Sequence, residues 1–444
     1  MSQSVHRPLG SVERLYWLID LVAGANFVVV AELTGELNES SLRIALDALQ
    51  ARRPLLSVEF IPAGARWVAF RPCEQRLALR TLKLCSGEAW LPFAEEDQAQ
   101  RFDLQSGPLA RCLLLTYPDQ HSVVVLTFHH SICDASSGVT VMRDLIRAVS
   151  EILSGEPVSI DATSPVAPLE HELSPWLLSA RGFVVNTWRM AARWLYWLTT
   201  GVPKEIPEDV VVAIAERRDR TVLLEFDEEQ TASLIKVCKA AGHTVHAALY
   251  SAQVLAVAEE FPERSPVLAV LSLVDLRRRS TPRVENEAMG LRIGFIVTSH
   301  RIDKAERSVS LARRIGQSIH RELALDNHRL MLPWLARTSD AIPRSRDGAA
   351  TLMTRNQKLS PGVSVLSNIG GVAWEPLGRQ LTVNAVQFFV PVCGVGNLAS
   401  SAVTFNGRLR WNFTYSEPSL SKARATALAE RAKNLLLSHG SDLA

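Results

Sequence analysis

Between residues 123 and 138 the chain runs Val123-Val124-Val125-Leu126-Thr127-Phe128-His129-His130-Ser131-Ile132-Cys133-Asp134-Ala135-Ser136-Ser137-Gly138. A β-branched, apolar run of this length predicts a buried strand. It ends on two histidines, and an aspartate follows four residues after the second. Successive strand side chains point to opposite faces, so His129 and His130 face different surroundings. Beyond the aspartate, Val139, Met142, Ile146 and Val149 recur at helical spacing, and Ser136 or Ser137 is placed to cap the helix. The stretch predicts a strand-to-helix junction with His130 at the wall of a cleft as candidate general base, His129 in support, and Asp134 fixing its surroundings.

Other chemistries fit these residues less well. Two adjacent strand histidines diverge, which argues against a metal held by His129, His130 and Asp134. Cys133 or Ser131 as nucleophile lacks a nucleophile-elbow pattern and a separate base. The spacing of His129 and Asp134 also matches glycerolipid acyltransferases, which usually carry membrane segments.

The block His129-His130-Ser131-Ile132-Cys133-Asp134 resembles the His-His-x-x-x-Asp signature of the condensation-domain and chloramphenicol acetyltransferase-like acyltransferases, including the polyketide-associated ones. The signature usually closes with Gly where this chain has Ala135. If that position requires positive φ, alanine there costs about 1 kcal/mol or more. The resemblance implies an α+β fold of two chloramphenicol acetyltransferase-like lobes with a channel between them. It implies transfer of an acyl group from a thioester to a hydroxyl. The donor would be acyl-coenzyme A or the phosphopantetheine thioester of an acyl carrier protein, with no bound cofactor and no metal. The acceptor would be a small-molecule alcohol or amine. The same scaffold also serves free-standing condensation enzymes that form amides, and non-catalytic relatives that only bind a carrier or partner.

Composition agrees with this class. The chain has 444 residues, 47% of them apolar and 21% charged, a balance that suits folded domains and not disorder. That length predicts two domains or lobes. A net charge of +2 from 48 basic and 46 acidic residues gives no reason to expect nucleic acid or an anionic surface as partner. Cys73, Cys85, Cys112, Cys133, Cys238 and Cys393 are scattered without paired spacing, as expected for reduced thiols in a cytoplasmic protein. No export segment and no transmembrane run is expected.

Along the chain, residues 1–175 are expected to form the lobe carrying the motif, 176–215 a connecting helix and linker, and 216–444 the second lobe. Arg52-Arg53-Pro54-Leu55-Leu56 before a strand resembles the family's opening, and Phe102-Asp103-Leu104 followed by Gly107-Pro108-Leu109-Ala110-Arg111 resembles its approach to the histidine strand. Trp176 to Thr200 is a Trp-rich helical stretch, expected to be a buried amphipathic helix joining the two lobes, with a membrane-surface helix as the lesser alternative because few lysines accompany it. His243 and His246 stand three apart but lack a third ligand in view, so a structural role is expected. The strand Val267 to Val274 leads to Asp275-Leu276-Arg277, and by resemblance Arg277 reaches Asp134 from the second lobe. Arg278, Arg279 and Arg283 form either a solvated basic turn or a landing site for phosphates. Ser367-Asn368-Ile369-Gly370 resembles a turn beside the channel in the polyketide-associated enzymes. With Ser136, Ser367 and Asn368 are candidates for channel lining or for oxyanion donation. Asn406-Gly407 between two alternating runs predicts a hairpin.

Overall fold

The computed structural model describes residues 5–439 apart from 64–66, 165, 174, 280–283, 286, 330–331, 333–341, 343–344, 360–361, 376–379 and 393–395. Arg283 and Cys393 lie outside the described residues, and so does the side chain of Arg278.

The histidine strand, His121–His129, lies at the centre of a five-stranded sheet. Its apolar run is continuous because the sheet is covered on both faces. Val124, Leu126 and Phe128 face the main core, while Val123 and Val125 face a smaller layer. The neighbouring strand Asn26–Gly35 divides its residues in the same way. On the main-core side lies the motif helix, Ala135–Leu153. Gly138 lets it sit close, since a Cβ there would come within 2.9 Å of Val29 and 3.0 Å of Phe27. The helix Glu39–Arg52 packs alongside, and the Arg53 just after it forms a buried ion pair with Asp144 of the motif helix.

The second sheet has six strands, in the order Ile293–Arg301, Val267–Asp275, Val363–Val372, Leu398–Phe405, Arg408–Glu417 and Arg218–Val222. Its main helix, Val245–Ala258, is buried on every side between the sheet and the helices Ser308–Ala324 and Lys422–Leu437. Asn406 and Gly407 both take positive φ and close the expected hairpin. A small three-stranded sheet joins Arg7–Pro8, Trp67–Pro72 and Val58–Ala63.

The chain does not keep its second half in the second lobe. The strand Leu381–Phe389 crosses back and pairs antiparallel with Asn26–Gly35, as the edge strand of the first lobe's sheet. The segment from Ser367 to Gly371 also differs from expectation. It does not turn but stays within the strand Val363–Val372, with a bulge between Asn368 and Gly370. The Asn368 side chain accepts from the Gly370 N–H at 2.8 Å, and Gly370 takes positive φ.

The Trp-rich helix, Ala180–Thr200, is not buried between the lobes. It runs along the open edge of the second sheet beside Ile293–Arg301, held by Trp197 Nε1 donating to Ser299 Oγ at 2.9 Å and by Arg301 donating to the Thr200 carbonyl. One row of side chains suffices for that contact. Trp197 is buried, whereas Trp188 and Leu198 are each 72% exposed. Among the described residues no helix is long and apolar enough to cross a membrane, and Cys73, Cys85, Cys112, Cys133 and Cys238 are free thiols.

Candidate active site

The motif strand ends at His129, but its register continues through the backbone: the His130 N–H donates to the Ala25 carbonyl at 2.8 Å. A tight turn follows, with the Ile132 N–H on the His129 carbonyl and Ser131 Oγ donating to the Glu13 carbonyl. Asp134 then caps the motif helix, its Oδ1 accepting from the Ser137 N–H at 2.9 Å. Ala135 is the first helical residue and is not among the residues with positive φ. The alanine therefore carries no backbone strain, and its methyl group simply joins the cavity wall.

The two histidines part company at the end of the strand. His129 is fully buried; its Nδ1 accepts from the Ser131 N–H at 3.2 Å, its Nε2 lies 3.9 Å from Asp20, and its ring meets Phe60 edge-on. His130 stacks on Tyr16 at a centroid distance of 3.9 Å and borders a cavity of about 100 Å³. Its Nδ1 lies 3.0 Å from the Cys133 carbonyl oxygen. A carbonyl only accepts, so Nδ1 carries the proton and Nε2 keeps its lone pair. Burial pushes the His130 imidazolium down to about 4, against smaller opposing pulls that include Asp134 and the Cys133 carbonyl. That is below the value near 6.5 expected for an ordinary imidazole, because desolvation disfavours the charged form.

Asp134 has both carboxylate oxygens occupied. Besides the cap, Oδ1 accepts from Arg277 at 3.0 Å, and Oδ2 accepts from the Arg292 N–H at 2.8 Å. Arg277 follows the strand Val267–Asp275 in the second lobe and is itself fully buried. Its guanidinium also reaches Ser137 Oγ at 2.5 Å, the Gly290 carbonyl at 3.1 Å and Asp275 at 3.2 Å. Charge, cap and backbone donors from two lobes thus meet on one aspartate.

The cavity draws on both lobes. His130, Asp134, Ala135 and Ser136 line it from the first; Asp275, Arg277, Ser367 and Asn368 line it from the second. Phe27, Leu273, Ile293 and Val390 supply apolar wall. A separate, larger cleft of about 940 Å³ is lined by Asn26, Glu95, Arg101, Arg217, Arg220 and Pro391. Of the residues expected at the site, all but His129 contribute to the cavity wall, and His129 stands behind it as packing. Arg279 is exposed, with its carbonyl accepting from Arg329, and does not line the cavity. Sequence reasoning misses Tyr16 and Asp275. Asp275 carries a readable signal, as a charge ending an apolar strand, whereas nothing local marks Tyr16. His246 turns away from His243 and faces Ser272 Oγ at 2.9 Å.

Comparison with known proteins agrees with this architecture. Residues 215–410 match the family described as phthiocerol/phthiodiolone dimycocerosyl transferase C-terminus. The chain is 29% identical over 180 residues to phosphinothricin tripeptide synthetase PhsC of Streptomyces viridochromogenes, covering 38% of this chain and 16% of that protein. It is 27% identical over 204 residues to beauvericin nonribosomal cyclodepsipeptide synthetase of Beauveria bassiana, covering 44% and 6%. The chain therefore corresponds to a small part of these curated relatives. Among solved structures, polyketide synthase associated protein 5 from Mycobacterium tuberculosis superposes with a TM-score of 0.71 at 16% identity, covering 99% of this chain and all of that one. TRI3 trichothecene 15-O-acetyltransferase from Fusarium sporotrichioides gives 0.73 at 13% identity, covering 98% and 94%. The epimerization domain from the third module of tyrocidine synthetase B gives 0.70 at 16%, covering 100% and 99%. In fold the chain is similar to these synthetase-domain and acyltransferase structures, and in sequence it is similar to parts of nonribosomal synthetases and, over residues 215–410, to the dimycocerosyl transferase C-terminal family.

Proposed function

We propose that this protein is an acyltransferase in which His130 Nε2 takes the proton of a hydroxyl as its oxygen attacks the carbonyl of an acyl thioester. The new C–O bond gives a tetrahedral oxyanion; its collapse breaks the C–S bond, and the His130 imidazolium returns the proton to the leaving thiolate. One observation carries the reading: an imidazole whose tautomer is fixed by the Cys133 carbonyl, held neutral, at the wall of a cavity shared by two lobes. Ser136 and Asn368 border the same space and are the proposed oxyanion donors, with Ser367 beside them. Asp134 and Arg277 are proposed to position the turn rather than to relay charge, since both carboxylate oxygens of Asp134 are taken up by Arg277, the Arg292 N–H and the helix cap. The larger cleft, bordered by Glu95, Arg101, Arg217 and Arg220, is the proposed approach for the thioester arm of coenzyme A or of an acyl carrier protein.

Turnover of His130→Ala with a competent donor and acceptor is expected to fall by roughly 10²–10⁴-fold. Unchanged turnover in a folded variant ends the proposal. A second reading, amide formation on a carrier-bound amine, is favoured by the similarity to nonribosomal synthetases. Incubation with acyl-coenzyme A or acyl-carrier thioesters and a panel of alcohols and amines, followed by mass spectrometry, distinguishes ester from amide. Absence of product from every pair, with a carrier protein still bound, would instead indicate a binding relative.

A further inference from the structure

A second cluster of potential ligands lies in the second lobe, built from residues that the proposed acyl transfer does not use. The helix Glu228–Ala241 ends at Gly242, which takes the left-handed conformation at φ 73°. The chain doubles back there, and the His243 N–H donates to the Cys238 carbonyl at 3.1 Å. This type of helix ending brings the residue after the glycine beside the residue three positions inside the helix end. It turns the unremarkable spacing Cys238-x-x-x-x-His243 into a neighbouring thiol and imidazole.

A third group arrives from the far end of the chain. His439, just beyond the helix Lys422–Leu437, is fully buried. Its Nδ1 lies 2.8 Å from Ser308 Oγ, which in turn meets Ser251 Oγ at 3.0 Å. His243 Nδ1 faces the Thr244 carbonyl at 3.3 Å, so that nitrogen carries the proton and Nε2 is left as an acceptor. With both Nδ1 atoms engaged by oxygen, the two Nε2 atoms point at each other, 3.1 Å apart. The ligand atoms of Cys238, His243 and His439 all lie within 4.8 Å of one another.

We propose that Cys238, His243 and His439 bind a zinc ion. Zinc takes thiolate sulfur at about 2.3 Å and imidazole nitrogen at about 2.0–2.1 Å in a tetrahedron, which sets two imidazole nitrogens about 3.3 Å apart. The observed nitrogen separation is close to this. One soft and two borderline ligands suit zinc better than calcium or magnesium, which demand oxygen. The contacts at each Nδ1 are the outer-shell bonds that orient metal-ligating histidines. A cavity of about 220 Å³ between the helix Glu228–Ala241 and the last helix has His439 in its wall. The nearby cation is Arg313, whose Nε is tied to the Ala241 carbonyl at 2.8 Å. The ion pins the end of the last helix to the first helix of the second lobe.

The test uses the full chain, stripped of metal by a chelator and then titrated with Zn²⁺ or Co²⁺. Wild type is expected to take up one equivalent, to melt at a higher temperature when loaded, and to show a thiolate-to-cobalt charge-transfer band with tetrahedral visible bands. Cys238→Ser is expected to lose the charge-transfer band, and His439→Gln to lose tight binding. Ser308→Ala should bind about 10–100-fold more weakly. Should His439→Gln fail to fold, the half-exposed His243→Gln replaces it, and the wild-type cobalt spectrum stands independently of any variant. No stoichiometric uptake, a cobalt spectrum without a thiolate band, or full binding by Cys238→Ser overturns the proposal. The pair is then a plain hydrogen bond from His439 Nε2 to His243.

Discussion

Burial keeps the imidazole of His130, the proposed base, uncharged. With its imidazolium pushed down to about 4, the ring stays neutral through the whole range in which enzymes are usually assayed. The expected pH profile of kcat is therefore flat from pH 8 to about 5, without the inflection near 6.5 that an exposed histidine would give. An inflection near 6.5 that disappears in a His130 variant would count against the buried, neutral imidazole. Stability follows the opposite logic. Below about 6.5 the unfolded chain protonates this histidine while the folded chain does not, so stability falls as pH drops from about 6.5 to 4, by up to about 1.4 kcal/mol per pH unit for each such group. His246 and His300 are likewise pushed down to about 4 by burial. Thermal melts between pH 7 and 5 should therefore show a steep loss. Asp134 poses a different question. Asp134→Ala removes the helix cap and leaves the buried Arg277 with only the part-exposed Asp275 as counter-charge, a change expected to cost about 3–5 kcal/mol. Urea denaturation should show that loss, and the Asp134→Ala/Arg277→Ala double variant should lose less than the two single changes added together. A variant that denatures normally yet has no activity would mean that Asp134 takes part in the chemistry. At this scale the sequence is informative where its signal is local. The strand, the two histidines and the capping aspartate lie within one short stretch, whereas Arg277 is reached only through resemblance. Tyr16 stacks on His130 from a helix far upstream, and no periodicity encodes that meeting.

Elements are legible where one face decides their environment. The hairpin at Asn406-Gly407 and the double-faced histidine strand follow from turn chemistry and apolar runs. The helix Ala180–Thr200 departs from expectation because tryptophan content suggests burial, while the edge strand it covers needs only one row of contacts. Its two kinds of tryptophan separate this arrangement from the buried one. Trp197→Ala should cost about 3–5 kcal/mol, since it empties a fully buried site. Trp188→Ala, at an exposed position, should change stability by no more than about 0.5 kcal/mol. Equal losses at the two positions would mean that the outer face is covered. The bulge at Asn368 escapes the sequence for a related reason: Ser-Asn-Ile-Gly suits a turn as well as it suits a bulge, and only the flanking pairing with Leu398–Phe405 selects between them.

For the molecule as a whole, the site belongs to neither lobe alone. Arg277 and the Arg292 N–H anchor Asp134 from the second lobe, and the strand Leu381–Phe389 completes the sheet of the first. No pattern within Leu381–Phe389 says which sheet it joins, because an apolar strand fits either; partner choice is a tertiary decision. The segment from Met1 to Leu178 expressed alone should consequently be poorly soluble, and addition of the remaining chain during refolding should restore a soluble complex. A monomeric, cooperatively melting fragment would show that the first sheet does not need its fifth strand. The same crossover also has a meaning in time. On a ribosome adding about 5–20 residues per second, the edge of Asn26–Gly35 waits roughly 20–70 s for Phe389 to be made. Throughout that interval the nascent chain presents an open, apolar strand edge, the feature most prone to pairing with a neighbouring chain. The yield of active protein in a cell is thus set as much by what shields that edge during synthesis as by the stability of the finished fold.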